Sequence, residues 1–195
     1  MKTIKRLIMI LLVIVGCGSQ GQVIYTAGER IDIPKVIDVR VDNEFMERDK
    51  EEIGRAIWAW NGAMNGLVIM HIVDNEFNMN MGVLSDVGMG NGLLVLQIDS
   101  NNPFIPNDGV TRKTLAFTDK IGGNLLYIVR DRIIEEDVYP IMLHELGHIM
   151  GLEHNGDRLM NPIYNKEKYK CIDKGSMIEF GKTNNIDIER FTYCL

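Results

Sequence analysis

Three of the chain's four histidines fall between positions 144 and 154, in the run His-Glu-Leu-Gly-His-Ile-Met-Gly-Leu-Glu-His. Nothing else in the sequence restricts the fold so strongly. On a helix, His144 and His148 share one face about one turn apart. Two imidazoles so placed can hold one Zn²⁺, with bonds of about 2.0–2.1 Å. Glu145 points to the neighbouring edge of that face, where it can reach a water activated by the metal without binding the metal itself. His154 is a third ligand only if the helix stops, because on a continued helix it would lie about 600° round from His148 and point away. Gly151 supplies the stop: glycine accepts the left-handed backbone that ends a helix and turns the chain back. The chance of this pattern arising anywhere in a chain of this composition is about 10⁻⁵, which sets coincidence aside.

Composition narrows the class further. The chain has 195 residues, 46% hydrophobic and 25% charged, as expected of one globular domain and of neither a coiled coil nor a disordered chain. Net charge is −6 and no basic block stands out beyond the extreme N-terminus, which argues against a nucleic-acid surface. Three cysteines, with no CxxC pair, are too few for a disulfide scaffold.

The N-terminus reads as an export signal. Lys2, Lys5 and Arg6 precede an apolar run, Leu7 to Val15, too short to span a bilayer. Ile14-Val15-Gly16-Cys17 then resembles a bacterial lipobox, with cleavage before Cys17 and acylation of that residue. The alternative is an ordinary signal peptide with Cys17 as a bystander. Expected segments are a lipoprotein signal over 1–16, a tether over 17–35 and a catalytic domain over 36–195. The protein is then exported and anchored at a membrane facing the periplasm or cell surface, or alternatively secreted. Losing the signal removes three positive charges and takes the net charge from −6 to −9.

Along the body, 36–41 alternates as a strand. Asn43 is a candidate cap for an amphipathic helix from Glu44, carrying Phe45, Ile53, Ile57 and Trp60 and ending near Asn61-Gly62. Strands are expected at 67–73, 93–98, 114–118 and 125–129, with a long loop over 75–92. A helix is expected over 135–151 and a short one near 185–193. The order describes one α+β domain with a four- or five-stranded sheet.

The run from His144 to His154 resembles the metzincin zinc-peptidase signature, and most closely its matrixin branch. Leu159-Met160-Asn161-Pro162-Ile163-Tyr164 is similar to the matrixin Met-turn. The resemblance implies a metzincin-like single domain with a twisted mixed sheet, a long first helix, an active-site helix and a short C-terminal helix. It implies a zinc endopeptidase acting on protein or peptide substrates. Met160 would floor the metal site. Pro162, Ile163 and Tyr164 would wall the pocket for the residue after the cut. Leu115, Ala116 and Phe117 resemble the edge strand that aligns substrate, and Ile57 to Asn61 resembles the end of the family's first helix. The resemblance spans about 36–193, with its specific motifs in 144–164.

Some family features are missing. There is no Pro-Arg-Cys-Gly-like propeptide switch, and the stretch between Cys17 and the first strand is too short for a prodomain. The histidines of a second, structural zinc site are absent; His71 reads as an ordinary half-buried strand residue. Carboxylates and amides in 74–78 and 99–108 could bind Ca²⁺, but they match no defined loop. With Cys17 acylated, Cys171 and Cys194 are an even pair in an exported chain, either bridged or two free buried thiols. The rival reading is a binding module that holds metal without cleaving. Glu145 argues against it, because a purely structural site has no use for that carboxylate.

Overall fold

The computed structural model describes residues 28–73, 92–106, 113–134, 137–156, 158–167 and 169–194. Its elements are β1 (Lys35–Val41), α1 (Glu47–Met64), β2 (Val68–Ile72), β3 (Gly92–Ile98), β4 (Ala116–Thr118), β5 (Leu125–Val129), α2 (Val138–Ile149) and α3 (Lys174–Asn184). The five strands form one mixed sheet in the order β2-β1-β3-β5-β4. β1 runs parallel to β2 and β3, and β3 parallel to β5. Only β4 is antiparallel, at the edge against β5. The fold is α+β.

Strand alternation divides the core. Val39, Leu93, Val95, Leu126 and Ile128 face α1 and α2 in the main apolar cluster. Leu94, Leu96, Ile98, Tyr127 and Val129 point to the other sheet face and form a smaller one. Helix α1 buries Ile53, Ala56, Ile57, Trp60 and Met64, at helical spacing, against the sheet and α2. The Trp60 indole N–H donates to the Leu143 carbonyl at 3.0 Å, which joins α1 to the residue just before His144. At its other end α1 is tied to the residue after β5, where buried Asp49 pairs with partly buried Arg130 at 2.6 Å.

Several expectations need correction. Asn43 is not the cap of α1, which begins only at Glu47 after Met46, with no side-chain cap. Asp42 instead turns the chain, accepting from the Glu44 N–H at 3.2 Å and the Phe45 N–H at 3.3 Å. Nor does α1 stop at Asn61-Gly62. It ends at Met64 because Asn65 and Gly66 take left-handed backbone. Asn61 sits inside the helix, and its amide both donates to and accepts from the Met70 backbone at 2.8 Å. The last helix is α3, not a segment at 185–193, where only a 3-10 turn at Ile188–Arg190 occurs. His71 is exposed on β2 rather than half-buried.

Residues 28–34, expected as tether, pack on the domain. Ile31 is in the core, and its N–H donates to buried Asn184 at 3.0 Å. The loop expected over 75–92, the rest of the tether and the signal with Cys17 lie outside the described residues, apart from Gly92, which opens β3. Among the described residues no helix is long and apolar enough to cross a membrane.

Candidate metal centre

Helix α2 is buried along nearly its whole length, so it is positioned from all sides. His144 and His148 project from it, each with Nδ1 against a backbone carbonyl: Leu159 at 2.6 Å for His144 and Leu152 at 2.7 Å for His148. Donation from Nδ1–H fixes the ring and leaves Nε2 with a lone pair for a metal. The helix closes as the glycine reading requires. Gly151 has φ +86°, the Gly151 N–H reaches the His148 carbonyl at 3.0 Å, and the Leu152 N–H reaches the Gly147 carbonyl at 2.9 Å. A side chain at Gly151 would also meet the Glu29 carbonyl at 2.1 Å, so the N-terminal segment packs against the same turn.

Beyond that turn His154 comes back. Its Nε2 lies 3.3 Å from Nε2 of His144 and 3.1 Å from Nε2 of His148. The three ligand atoms all lie within 4.8 Å of one another, and theirs is the one such group among the described residues. Tetrahedral ligands at zinc–nitrogen bonds of 2.0–2.1 Å are about 3.3 Å apart, so the spacing suits one zinc ion. Burial lowers the pKa of all three imidazoles. His144 falls well below the usual range, through burial and then the neighbouring His148; His148 falls to about 4; His154 is lowered less. All three are neutral at pH 7, the state a metal ligand needs.

Glu145 lines the same cleft, is 6% exposed, and has one carboxylate oxygen, Oε2, buried with no hydrogen-bond partner. Burial pushes its pKa up to about 8. An orphaned carboxyl beside three imidazoles fits a site that receives a dication, whose positive charge would favour the ionised form of Glu145 against the effect of burial.

The cleft has a volume of about 560 Å³. Leu115, Ala116 and Phe117 line it from the sheet edge, and Pro162 and Tyr164 from the far wall. β4 itself begins at Ala116, but the Leu115 carbonyl accepts from Val129 at 2.9 Å and continues the ladder. Ile163 does not line the cleft; it is 53% exposed while its neighbours turn inward. Met160 is fully buried under α2, its sulfur 2.5 Å from where a Cβ on Gly147 would stand, so a side chain at that helix position would have to displace the Met160 thioether. Asp99, in the stretch considered for Ca²⁺, accepts from the Asn101 N–H at 2.9 Å.

The structure adds residues that the motifs do not reveal. Tyr169 is 3% exposed and lies flat on the His144 imidazole, with ring centroids 4.8 Å apart and planes 6° apart. Its hydroxyl donates to the Asn161 carbonyl. Burial and then the Glu145 carboxylate raise its pKa, so the phenol stays protonated. Asp173 caps α3 and reaches back to the Leu159 N–H at 3.3 Å. A cap signal was available, since Asp173 precedes Met177 and Phe180 at helical spacing, but nothing in the spacing marks Tyr169. Cys171 and Cys194 are joined by a disulfide, with Cα atoms 6.3 Å apart.

No curated protein matches the chain significantly. Residues 97–175 match the family model of the matrixins, a stretch that runs from the end of β3 through β4, β5 and α2 to the start of α3. That match implies zinc as the metal and a protein as the substrate. Over residues 97–175 the chain is similar to the matrixins.

Proposed function

We propose that the protein is an endopeptidase in which His144, His148 and His154 hold the catalytic zinc and Glu145 is the general base. The observation that carries this is the convergence of three Nε2 atoms beside the orphaned Glu145 carboxyl, inside a cleft bordered by β4, the edge strand of the described sheet. Zinc held there supplies Lewis acidity, which makes water nucleophilic near neutral pH and polarises the scissile carbonyl. Glu145 takes the proton from the attacking water and passes it to the leaving amine. The substrate lies extended along β4, whose outer edge pairs with no other strand among the described residues and can take a strand partner. Pro162 and Tyr164 wall the pocket for the residue after the cut, and Met160 under Gly147 supports α2 from below.

Glu145→Gln tests the assignment. It keeps side-chain size and removes the base, so zinc stoichiometry stays at one while peptide cleavage falls by about 10²–10⁴-fold. His148→Ala loses metal and cleavage together. A wild-type protein that holds zinc, cleaves nothing in a broad peptide library and is indifferent to Glu145→Gln is a metal-binding module instead.

We also propose that the chain is exported and held at a membrane through acylated Cys17, on the strength of the apolar run and lipobox-like residues before it. Cys17→Ser should move the protein from the detergent phase to the aqueous phase. Unchanged partitioning rules the anchor out.

A further inference from the structure

Tyr169 and Asp173 stand on either side of Cys171, each two residues away, and both act on the surroundings of His144. Tyr169 covers one face of the imidazole and is itself pinned through Asn161. Asp173 works through the backbone. Its Oδ2 accepts from the Leu159 N–H at 3.3 Å and from the Ser176 hydroxyl at 2.9 Å. The carbonyl of that same Leu159 is the partner of His144 Nδ1. The other oxygen, Oδ1, accepts from Gly175 and Ser176 at the start of α3, at 2.8 and 3.2 Å. One buried carboxylate therefore ties the acceptor of His144 to a helix end. The C-terminus holds this segment from outside: Cys194 donates to the Ile172 carbonyl at 3.0 Å, forms a β-bridge with Asp173, and is bonded to Cys171. The His148 acceptor, Leu152, belongs instead to the helix's own closing turn, which the Gly122 N–H (to the His148 carbonyl, 2.8 Å) and the Glu29 N–H (to the Gly151 carbonyl, 2.8 Å) buttress through the backbone, with no buried carboxylate or disulfide among the described residues there.

We propose that Tyr169 and Asp173, closed off by the Cys171–Cys194 disulfide, are a positioning clamp on His144, and that the thiol–disulfide state of the pair sets how tightly the site holds zinc. The proposal rests on the reading of the three histidines as a zinc site. Orienting partners of a metal-bound histidine typically change metal affinity by about 10–100-fold. A dithiol reductant gives two electrons and two protons to the sulfur–sulfur bond, leaving two thiols on the protein and closing to its own disulfide. The C-terminus is then released from Cys171, and Tyr169 and Asp173 lose the tie that fixes both. A newly made chain with free thiols holds zinc weakly, and zinc retention follows oxidation. Activity is thereby confined to an oxidising compartment.

The test is zinc affinity, measured by competition with a chromophoric chelator on the full chain carrying Cys17→Ser, so that no other thiol competes. Adding Cys171→Ser with Cys194→Ser should weaken zinc binding about 10–100-fold in protein that circular dichroism shows to be folded. The visible spectrum of the cobalt-substituted protein should change with it, since a role confined to stability would leave the ligand field unaltered. With the disulfide intact, Tyr169→Leu and Asp173→Asn should weaken zinc binding, and Tyr169→Phe, which keeps the stacked ring but loses the tie to Asn161, should weaken it less than Tyr169→Leu. A folded double-serine variant with unchanged affinity and cobalt spectrum overturns the clamp. If that variant does not fold, unchanged affinity in both Tyr169→Leu and Asp173→Asn overturns it equally. If even the oxidised parent binds no zinc, the zinc-site reading fails first and the clamp with it.

Discussion

From Lys35 to Ile149 the described backbone is mostly strand and helix, whereas from Met150 to Ile172 it contains neither. Both regions supply the candidate site. The first brings β4, Glu145 and two histidines; the second brings His154, Met160, the pocket wall and Tyr169. In the first, each side chain is placed by many equivalent interactions, such as strand ladders and the packed face of α1. In the second, placement rests on single contacts: the left-handed Gly151, the Asp173 carboxylate, the Tyr169 hydroxyl and the disulfide. Redundant contacts give stability that no single residue controls, and singular contacts give geometry that one residue can spoil.

Substitutions in the two regions should therefore separate stability from metal binding. Ile53 is fully buried on α1, away from the cleft. Ile53→Ala removes core volume and should cost about 2–5 kcal/mol in denaturant unfolding. The fraction still folded should bind zinc as the parent does; a matching loss of zinc affinity would dissolve the distinction. Gly151→Ala should act the other way. Its φ of +86° and the 2.1 Å approach of the Glu29 carbonyl leave no room for a methyl group. The stability cost is smaller, about 1–3 kcal/mol, but the turn that returns His154 must shift. Zinc affinity should fall by more than the melting temperature suggests. Normal affinity in a clearly destabilised Gly151→Ala protein would show that the turn is not what places His154.

The same division explains which parts could be read from the chain. Strands such as Leu125–Val129 announce themselves as short unbroken apolar runs, and the buried face of α1 by its helical period, because each repeats one requirement along the segment. α3 is hard to read because its pattern is weak: Met177, Phe180, Gly181 and Asn184 are buried, but a glycine and an asparagine give little apolar signal. The end of α1 is obscured for a related reason. Asn61 looks like a breaker, yet it is kept in the helix by what its amide does for Met70 of β2, a partner invisible from local sequence. Ile163 sits within a motif but faces solvent, since the turn at Asn161, whose side chain accepts from the Ile163 N–H at 2.8 Å, sends alternate residues outward.

The sequence by itself determined the chemistry. Two histidines one helical turn apart, an adjacent glutamate, a glycine where the helix must end and a third histidine after it are local requirements, and local spacing satisfies them. Only the tertiary structure decided how those residues are held. The acceptor for His144 is 15 residues away, the carboxylate that fixes that acceptor is 14 further on, and the disulfide that closes the segment spans 23. Such contacts depend on where chain segments meet in space, and no periodicity along the sequence encodes that meeting.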